Sequence, residues 1–125
     1  MTASTPEQVI ELFAERLGEG DVEGALDLYD DEATFAVQPG QVVRGKEAIR
    51  EALGTFAALE PNLTGAIEKA LIANDVALVI NRWSLDGRRP DGDPVRMAGV
   101  SADVLRRDRD GLWKIAIDDP WGGAG

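Results

Sequence analysis

Neither cysteine nor histidine occurs anywhere in the 125 residues. Without cysteine there are no disulfides, no thiolate nucleophile and no thiolate metal site, and the redox compartment is left open. Without histidine the chain has no access to the commonest general base, the commonest metal ligand or the usual switch near neutral pH. Proton transfer therefore falls to carboxylates, lysines, arginines or the single tyrosine, Tyr29. Basic residues are outnumbered, 13 against 23 acidic, and the resulting formal charge of -10 repels nucleic acid and anionic membrane. No apolar run approaches the roughly 18 residues of a membrane span, and the opening MTASTPEQ lacks the basic and apolar regions of a secretory signal, so a cytoplasmic location is expected. Gly92, Gly122 and Gly123 lack the strand-glycine-helix context of a phosphate loop. No internal repeat or low-complexity segment is present, and no metal or cofactor is expected.

What remains is a chain with 44% hydrophobic residues, enough for one domain over residues 1–125, with residues 1–5 as a flexible arm. Thr5-Pro6-Glu7-Gln8 reads as a helix start with a hydroxyl cap, proline at the first position and Gln8 closing a capping box. Val9, Leu12, Phe13 and Leu17 repeat at helical spacing, up to Gly18 and Gly20. Asp21 caps a second short helix carrying Ala25, Leu26, Leu28 and Tyr29, stopped by Asp30-Asp31-Glu32. Ala33 to Val37 reads as a short strand, with Gln41 to Arg44 as its hairpin partner. A third helix runs from Lys46 to about Leu59, with Ile49, Ala52, Leu53 and Phe56 inward and Pro61 as its stop.

From Leu63 the period turns from helical to alternating or continuously apolar. Ile67–Ala73 and Val76–Leu85 are predicted strands about an Asn74-Asp75 turn, followed by a loop over Asp86–Pro94. The segment 94–122 then forms two long strands around Asp110-Gly111. Helices followed by a run of strands predict an α+β domain, with about three helices on one face of a mainly antiparallel sheet.

The last two strands carry the chemistry. Alternation places Met97, Ser101, Asp103 and Leu105 on one face of the first arm, and Trp113, Ile115, Ile117, Asp119 and Trp121 on one face of the second. With Arg107 opposite Trp113, Ser101 falls opposite Asp119 and Asp103 opposite Ile117, so two carboxylates look out of one sheet face. A buried unpaired carboxylate costs several kcal/mol, so Asp103 is protonated, paired or at an exposed strand end; Arg82 is its candidate partner. Asp119 reads either as a second acid or as a solvated strand exit. Arg82, sharing a face with Ile80 and Ser84, either clamps a substrate oxygen or snorkels at an edge. Tyr29 is a core residue with a satisfied hydroxyl or a proton donor. Phe13, Leu17, Phe35, Val37, Phe56, Ile80, Ser84, Met97, Ser101, Ile117 and Trp121 are expected to line a pocket for an apolar small molecule. The other face of these strands is also apolar at Val100, Ala102, Val104 and Ala116, and three modest helices cannot cover both faces. A homodimer through the outer face is expected, the alternative being a half-exposed sheet face.

FAERLGEGDVEGALDLYDDEATF, VVRGKEAIREAL and GLWKIAIDDPWG together resemble the nuclear-transport-factor-2-like (NTF2-like) superfamily, from about residue 6 to residue 122. Within it the chain looks most like small bacterial SnoaL-like and ketosteroid-isomerase-like proteins, including those grouped as a domain of unknown function. The resemblance implies a cone, a strongly curved sheet wrapped round a long helix with an apolar pocket at its open end, usually in a homodimer. It implies cofactor-free isomerase, cyclase, dehydratase or hydrolase activity on an apolar ring-containing substrate, or ligand binding without turnover. Asp103 falls where ketosteroid isomerases keep a neutral aspartic acid, the handling of a carboxyl by an apolar site being well established there. Their helix tyrosine is Phe13 here, and their general-base aspartate falls at Val37 or Gln38. Tyr29 matches a second pocket tyrosine found in some of them. Arg82 and Asp119 resemble the arginine and last-strand aspartate of limonene-type epoxide hydrolases, whose remaining aspartate is Ser84 here.

Overall fold

The computed structural model describes residues 4–123. The arm expected over residues 1–5 lies for its first three residues outside them; Ser4 donates its backbone N–H to Gln8 Oε1 at 2.8 Å. Helix α1 (Pro6–Gly18) begins as its sequence dictates, with Gln8 N–H donating to Thr5 Oγ1 at 3.2 Å and Gln8 Oε1 accepting from the Thr5 N–H at 3.3 Å. Helix α2 (Val22–Leu26) is capped by Asp21, whose carboxylate accepts from the Gly24 N–H at 2.9 Å. Strands β1 (Tyr29–Gln38) and β2 (Gln41–Arg44) form a hairpin, and helix α3 (Lys46–Ala57) follows. Strands β3 (Asn62–Ala73), β4 (Val76–Arg88), β5 (Pro94–Arg107) and β6 (Trp113–Asp119) complete the chain.

The six strands make one curved sheet in the order β2-β1-β6-β5-β4-β3, antiparallel throughout except for the parallel pair β1–β6. The three helices pack on its concave side, as the α+β reading expects. Val9, Leu12 and Leu17 of α1, Ala25 and Leu26 of α2, and Ile49 and Leu53 of α3 meet Phe35, Val79, Leu105, Trp113 and Ile115 from the strands in one buried cluster. An aromatic chain threads it: Phe13 edge-on to Tyr29 at 5.9 Å, Tyr29 to Phe35 and Phe35 to Phe56 at 6.2 Å each.

Three expectations are corrected. The second helix stops at Leu26, and Tyr29 opens β1 instead of closing a helix. The Ile115 N–H donates to Leu28 O at 2.8 Å, and Tyr29 sits opposite Ile115, so pairing with the last strand overrides the local helical pattern. The loop expected over Asp86–Pro94 is shorter, confined to residues 89–93: Arg88 pairs with Pro94, and the Arg88 N–H donates to Leu59 O at 2.7 Å. Gly87 permits that approach, because a Cβ there would stand 2.6 Å from Leu59 O.

The third correction decides the site. Arg107 does pair with Trp113, and Leu105 with Ile115, but the next partners are Val104 and Ile117, leaving Ala116 as an extra residue on β6. This bulge shifts the register by one. Because side chains alternate with period two, every residue beyond it changes face. Ile117 turns outward and is 45% exposed, Asp118 turns inward opposite Asp103, and Asp119 pairs with Ala102 instead of facing Ser101.

Leu105 lies beside the bulge and is 0% exposed. Leu105→Ala is expected to destabilise the fold by about 2–5 kcal/mol, read as a lower urea midpoint with an unchanged m-value.

Candidate functional site

A cavity of about 530 Å³ opens between α1, the end of α3 and the concave face of β3–β6. Its walls are apolar: Phe13 and Leu17 from α1, Phe35 from β1, Phe56 from α3, and Trp83 and Leu85 from β4. Its floor is polar, with Asn81 from β4, Ser101 and Asp103 from β5, and Asp118 from β6. The alternation of β4 delivers Val79, Asn81, Trp83 and Leu85 inward and sends Ile80, Arg82 and Ser84 to the convex side.

Asp103 and Asp118 are register partners on adjacent strands, 4% and 9% exposed, and their carboxyls hydrogen-bond to each other. Ser101 Oγ donates to Asp103 Oδ2 at 3.0 Å. Tyr29, 1% exposed behind the floor, donates its hydroxyl to Asp118 Oδ2 at 2.5 Å. Asp103 Oδ1 and Asn81 Oδ1 accept no hydrogen bond from the protein.

Burial and the Asp118 charge push the Asp103 carboxyl well above the ordinary carboxylate range. Burial raises Asp118 as well, against the opposing hydrogen bonds from Asp103 and Tyr29. Two buried carboxyls so close together favour keeping one proton between them. Burial, followed by the charge of Asp118, keeps the Tyr29 phenol protonated far above neutrality, so it faces Asp118 as a donor.

The end of β6 closes one side of the cavity. Asp119 Oδ1 accepts from the Trp121 N–H at 3.3 Å, the Gly122 N–H donates to Asp119 O at 3.1 Å, and the Gly123 N–H reaches Val100 O at 2.9 Å. This turn folds Trp121 back over the sheet, edge-on to Trp83 at 5.7 Å, while Trp83 Nε1 donates to Pro120 O at 2.6 Å. Gly99 lies directly beneath: a Cβ there would stand 3.0 Å from Trp121 and 3.1 Å from Trp83.

Of the residues singled out in the sequence, Phe13, Leu17, Phe35, Phe56, Ser101, Asp103 and Trp121 line the cavity, and Tyr29 braces its floor. The others lie elsewhere. Arg82 is on the convex face with its side chain 65% exposed, and it pairs with Glu68 at 3.1 Å instead of Asp103. Ser84 shares that face and bonds Thr64 at 2.8 Å; Ile80 is their neighbour. Ile117 and Asp119 are displaced by the bulge. Val37 packs against the core, and Met97 lies along β5 beyond the lining. Two floor residues were not anticipated. Asp118 was hidden by the register shift, although the Asp118-Asp119 doublet guaranteed that one carboxylate faced inward. Asn81 was detectable as the one polar residue in the inward row Val79, Asn81, Trp83, Leu85. Among the described residues no group of three or more Asp and Glu is placed to hold a metal ion.

The SnoaL-like domain model matches residues 9–116. No curated protein sequence matches the chain. Among solved structures, a ketosteroid isomerase-like protein from Erwinia carotovora atroseptica SCRI1043 superposes with a TM-score of 0.74 at 20% identity, over 90% of this chain and 88% of that one. An NTF-2 like protein from Shewanella oneidensis MR-1 gives 0.71 at 20% identity, over 89% and 91%. A conserved protein from Planctomyces limnophilus DSM 3776 gives 0.80 at 18% identity, over 90% and 88%. At such identities the likeness is one of fold. With three helices on a six-stranded curved sheet and a family match spanning most of its length, the chain belongs to the SnoaL-like domain family.

Proposed function

We propose that the cavity binds a neutral, apolar, ring-containing small molecule and that the chain acts on it as a cofactor-free acid–base enzyme. Asp103 exchanges the proton and Asp118 holds the charge. The observation that carries this reading is the buried carboxyl pair on the floor of an otherwise apolar cavity, with Asp103 Oδ1 left without a donor. Such a pair is costly to bury and adds nothing to packing that two leucines would not supply, so its retention fits chemistry. A cavity of about 530 Å³ suits a molecule of a few fused rings.

With one proton between them, the two carboxyls offer an acid and a base within one site. Asp103 gives its proton to a substrate oxygen or carbon, and its free carboxylate then takes one from a neighbouring atom. This cycle serves isomerisation, cyclisation, dehydration or hydrolysis, and positioned groups of this kind typically contribute about 10²–10⁴ in rate. Tyr29, bonded to Asp118, lowers the cost of leaving negative charge on the floor after the proton has gone. The competing reading is ligand binding without turnover. It is favoured by Phe13, which offers no hydroxyl to the cavity, and by Val37 and Gln38, which offer no base.

The first test is a thermal-melting screen against apolar ring ketones, epoxides and polyketide-like aromatics, followed by turnover assays on whatever raises the melting temperature. Asp103→Asn is expected to lower kcat about 10²–10⁴-fold while changing ligand Kd less than about threefold. Tight ligands that are never turned over by the native chain would favour the binding reading.

The carboxyl pair also sets a pH dependence. A carboxyl whose folded pKa is raised contributes stability that is full below its ordinary value of 3.8 and is lost as pH rises toward the folded pKa. Native stability should therefore fall relative to Asp103→Asn as pH rises from about 4, by at most about 1.4 kcal/mol per pH unit for one retained proton. Paired urea titrations between pH 4 and pH 9 check the sign; a constant difference would mean that Asp103 ionises normally.

We further propose that a second copy of the chain covers the convex face. Leu71, Leu78, Val104 and Ile117 are successive register partners across β3, β4, β5 and β6, and three of the four are at least 36% exposed. The bulge puts Ile117 in this row, where the sequence had placed Ala116. Ile117→Lys is expected to convert a dimer to a monomer in sedimentation velocity, with near-native circular dichroism.

A further inference from the structure

Resting on the reading of the cavity as a small-molecule site, we infer that Asn81 is a second polar anchor and that the ligand carries a hydroxyl or N–H on the side of its ring system remote from Asp103. The two side chains belong to the same concave floor. Asn81 is the register partner of Ser101, and Val79 that of Asp103, so Asn81 and Asp103 are diagonal neighbours. On adjacent antiparallel strands that relation separates backbones by about 7–8 Å, the breadth of a fused bicyclic ring.

Asn81 is a costly residue to place there. It is 9% exposed, it lines the cavity, and its Oδ1 accepts no hydrogen bond from the protein. A buried amide oxygen without a donor gives up the water it held in the unfolded chain. Ser101 does not supply the missing donor, because its single proton goes to Asp103 Oδ2 at 3.0 Å, with only the Asn81 backbone oxygen near it at 3.3 Å. Neighbouring β3 makes room for the amide. A Cβ on Gly65 would stand 3.0 Å from Asn81 Oδ1 and 3.1 Å from Nδ2, so the absence of a side chain there lets the amide lie flat against the strand. Valine or leucine at residue 81 would continue the apolar row of β4 without that cost. The orphaned oxygen therefore selects for a ligand that brings a donor. With Asp103 also in the lining, the floor has two separated polar residues beneath apolar walls. That matches a flat molecule functionalised at both ends better than one with a single polar group.

The test compares 2-naphthol with 2,6-dihydroxynaphthalene by calorimetry on the native chain, Asn81→Leu and Gly65→Ala. A second hydroxyl loses water on entering an apolar cavity, so it improves binding only where the protein offers a partner. The native chain is expected to bind the dihydroxy compound about tenfold more tightly. Asn81→Leu should abolish that preference while leaving the Kd of 2-naphthol within about twofold, and Gly65→Ala, which crowds the amide, should reduce it. Equal binding of the two probes by the native chain, or a preference that survives Asn81→Leu, overturns the inference and leaves the proposed acid–base role of Asp103 standing. Failure of both probes to bind overturns the reading of the cavity and the inference together.

Discussion

The exclusion of water from the Asp103–Asp118 pair is the constraint on which the rest of the structure turns. Two carboxylates on adjacent strands cannot both ionise in a site walled by Phe13, Phe35 and Phe56, and the repulsion is relieved by keeping one proton. The bulge at Ala116 turns Asp118 inward and the extended start of β1 aims the Tyr29 hydroxyl at it, while the Ser101 bond to Asp103 Oδ2 works in the opposite direction, favouring the ionised form of Asp103. In a chain without histidine, burial beside a second carboxyl gives it a group that holds its proton well above the ordinary carboxylate range.

Much of the fold was legible because it rests on local chemistry. The capping box at Thr5, the Asp21 cap, the aliphatic stripe of α1 and the Asn74 turn, with its φ of 55°, are each determined by a few neighbouring residues. The boundaries that failed depend on partners distant in sequence. Tyr29 is extended because β6 receives it, the Ile115 N–H bonding Leu28 O, and β4 runs on to Arg88 because α3 ends where Leu59 can accept its N–H.

The site was half legible for the same reason. Asp103 announces itself, since an aspartate inside a valine-rich strand needs an explanation that its own neighbours can frame. Its partner cannot be found that way. Alternation along β6 is well defined on either side of Ala116, but no local residue declares the bulge, and one extra residue exchanges Asp118 for Asp119 and Ile117 for Ala116. Arg82 misled from the opposite direction. Its strand is apolar on both faces, so the sequence alone did not say which face was concave, and the guanidinium went outward to Glu68. Asn81, its neighbour, took the inward place.

The residues after β6 join the convex and concave arguments. Asp119, turned away from the cavity by the bulge, is still used: its carboxylate and carbonyl hold the turn that carries Pro120 and Trp121 back over the sheet. Trp83 is fixed by its bond to Pro120 O, so the indole pair at the cavity mouth depends on the same one-residue shift that buries Asp118. Removing the bulge would therefore not exchange one acid for another. It would return Asp119 to the floor, take the turn from under Trp121 and leave Tyr29 without its acceptor. The inward carboxylate, the wall above it and the outward Ile117 are consequences of a single irregularity in one strand.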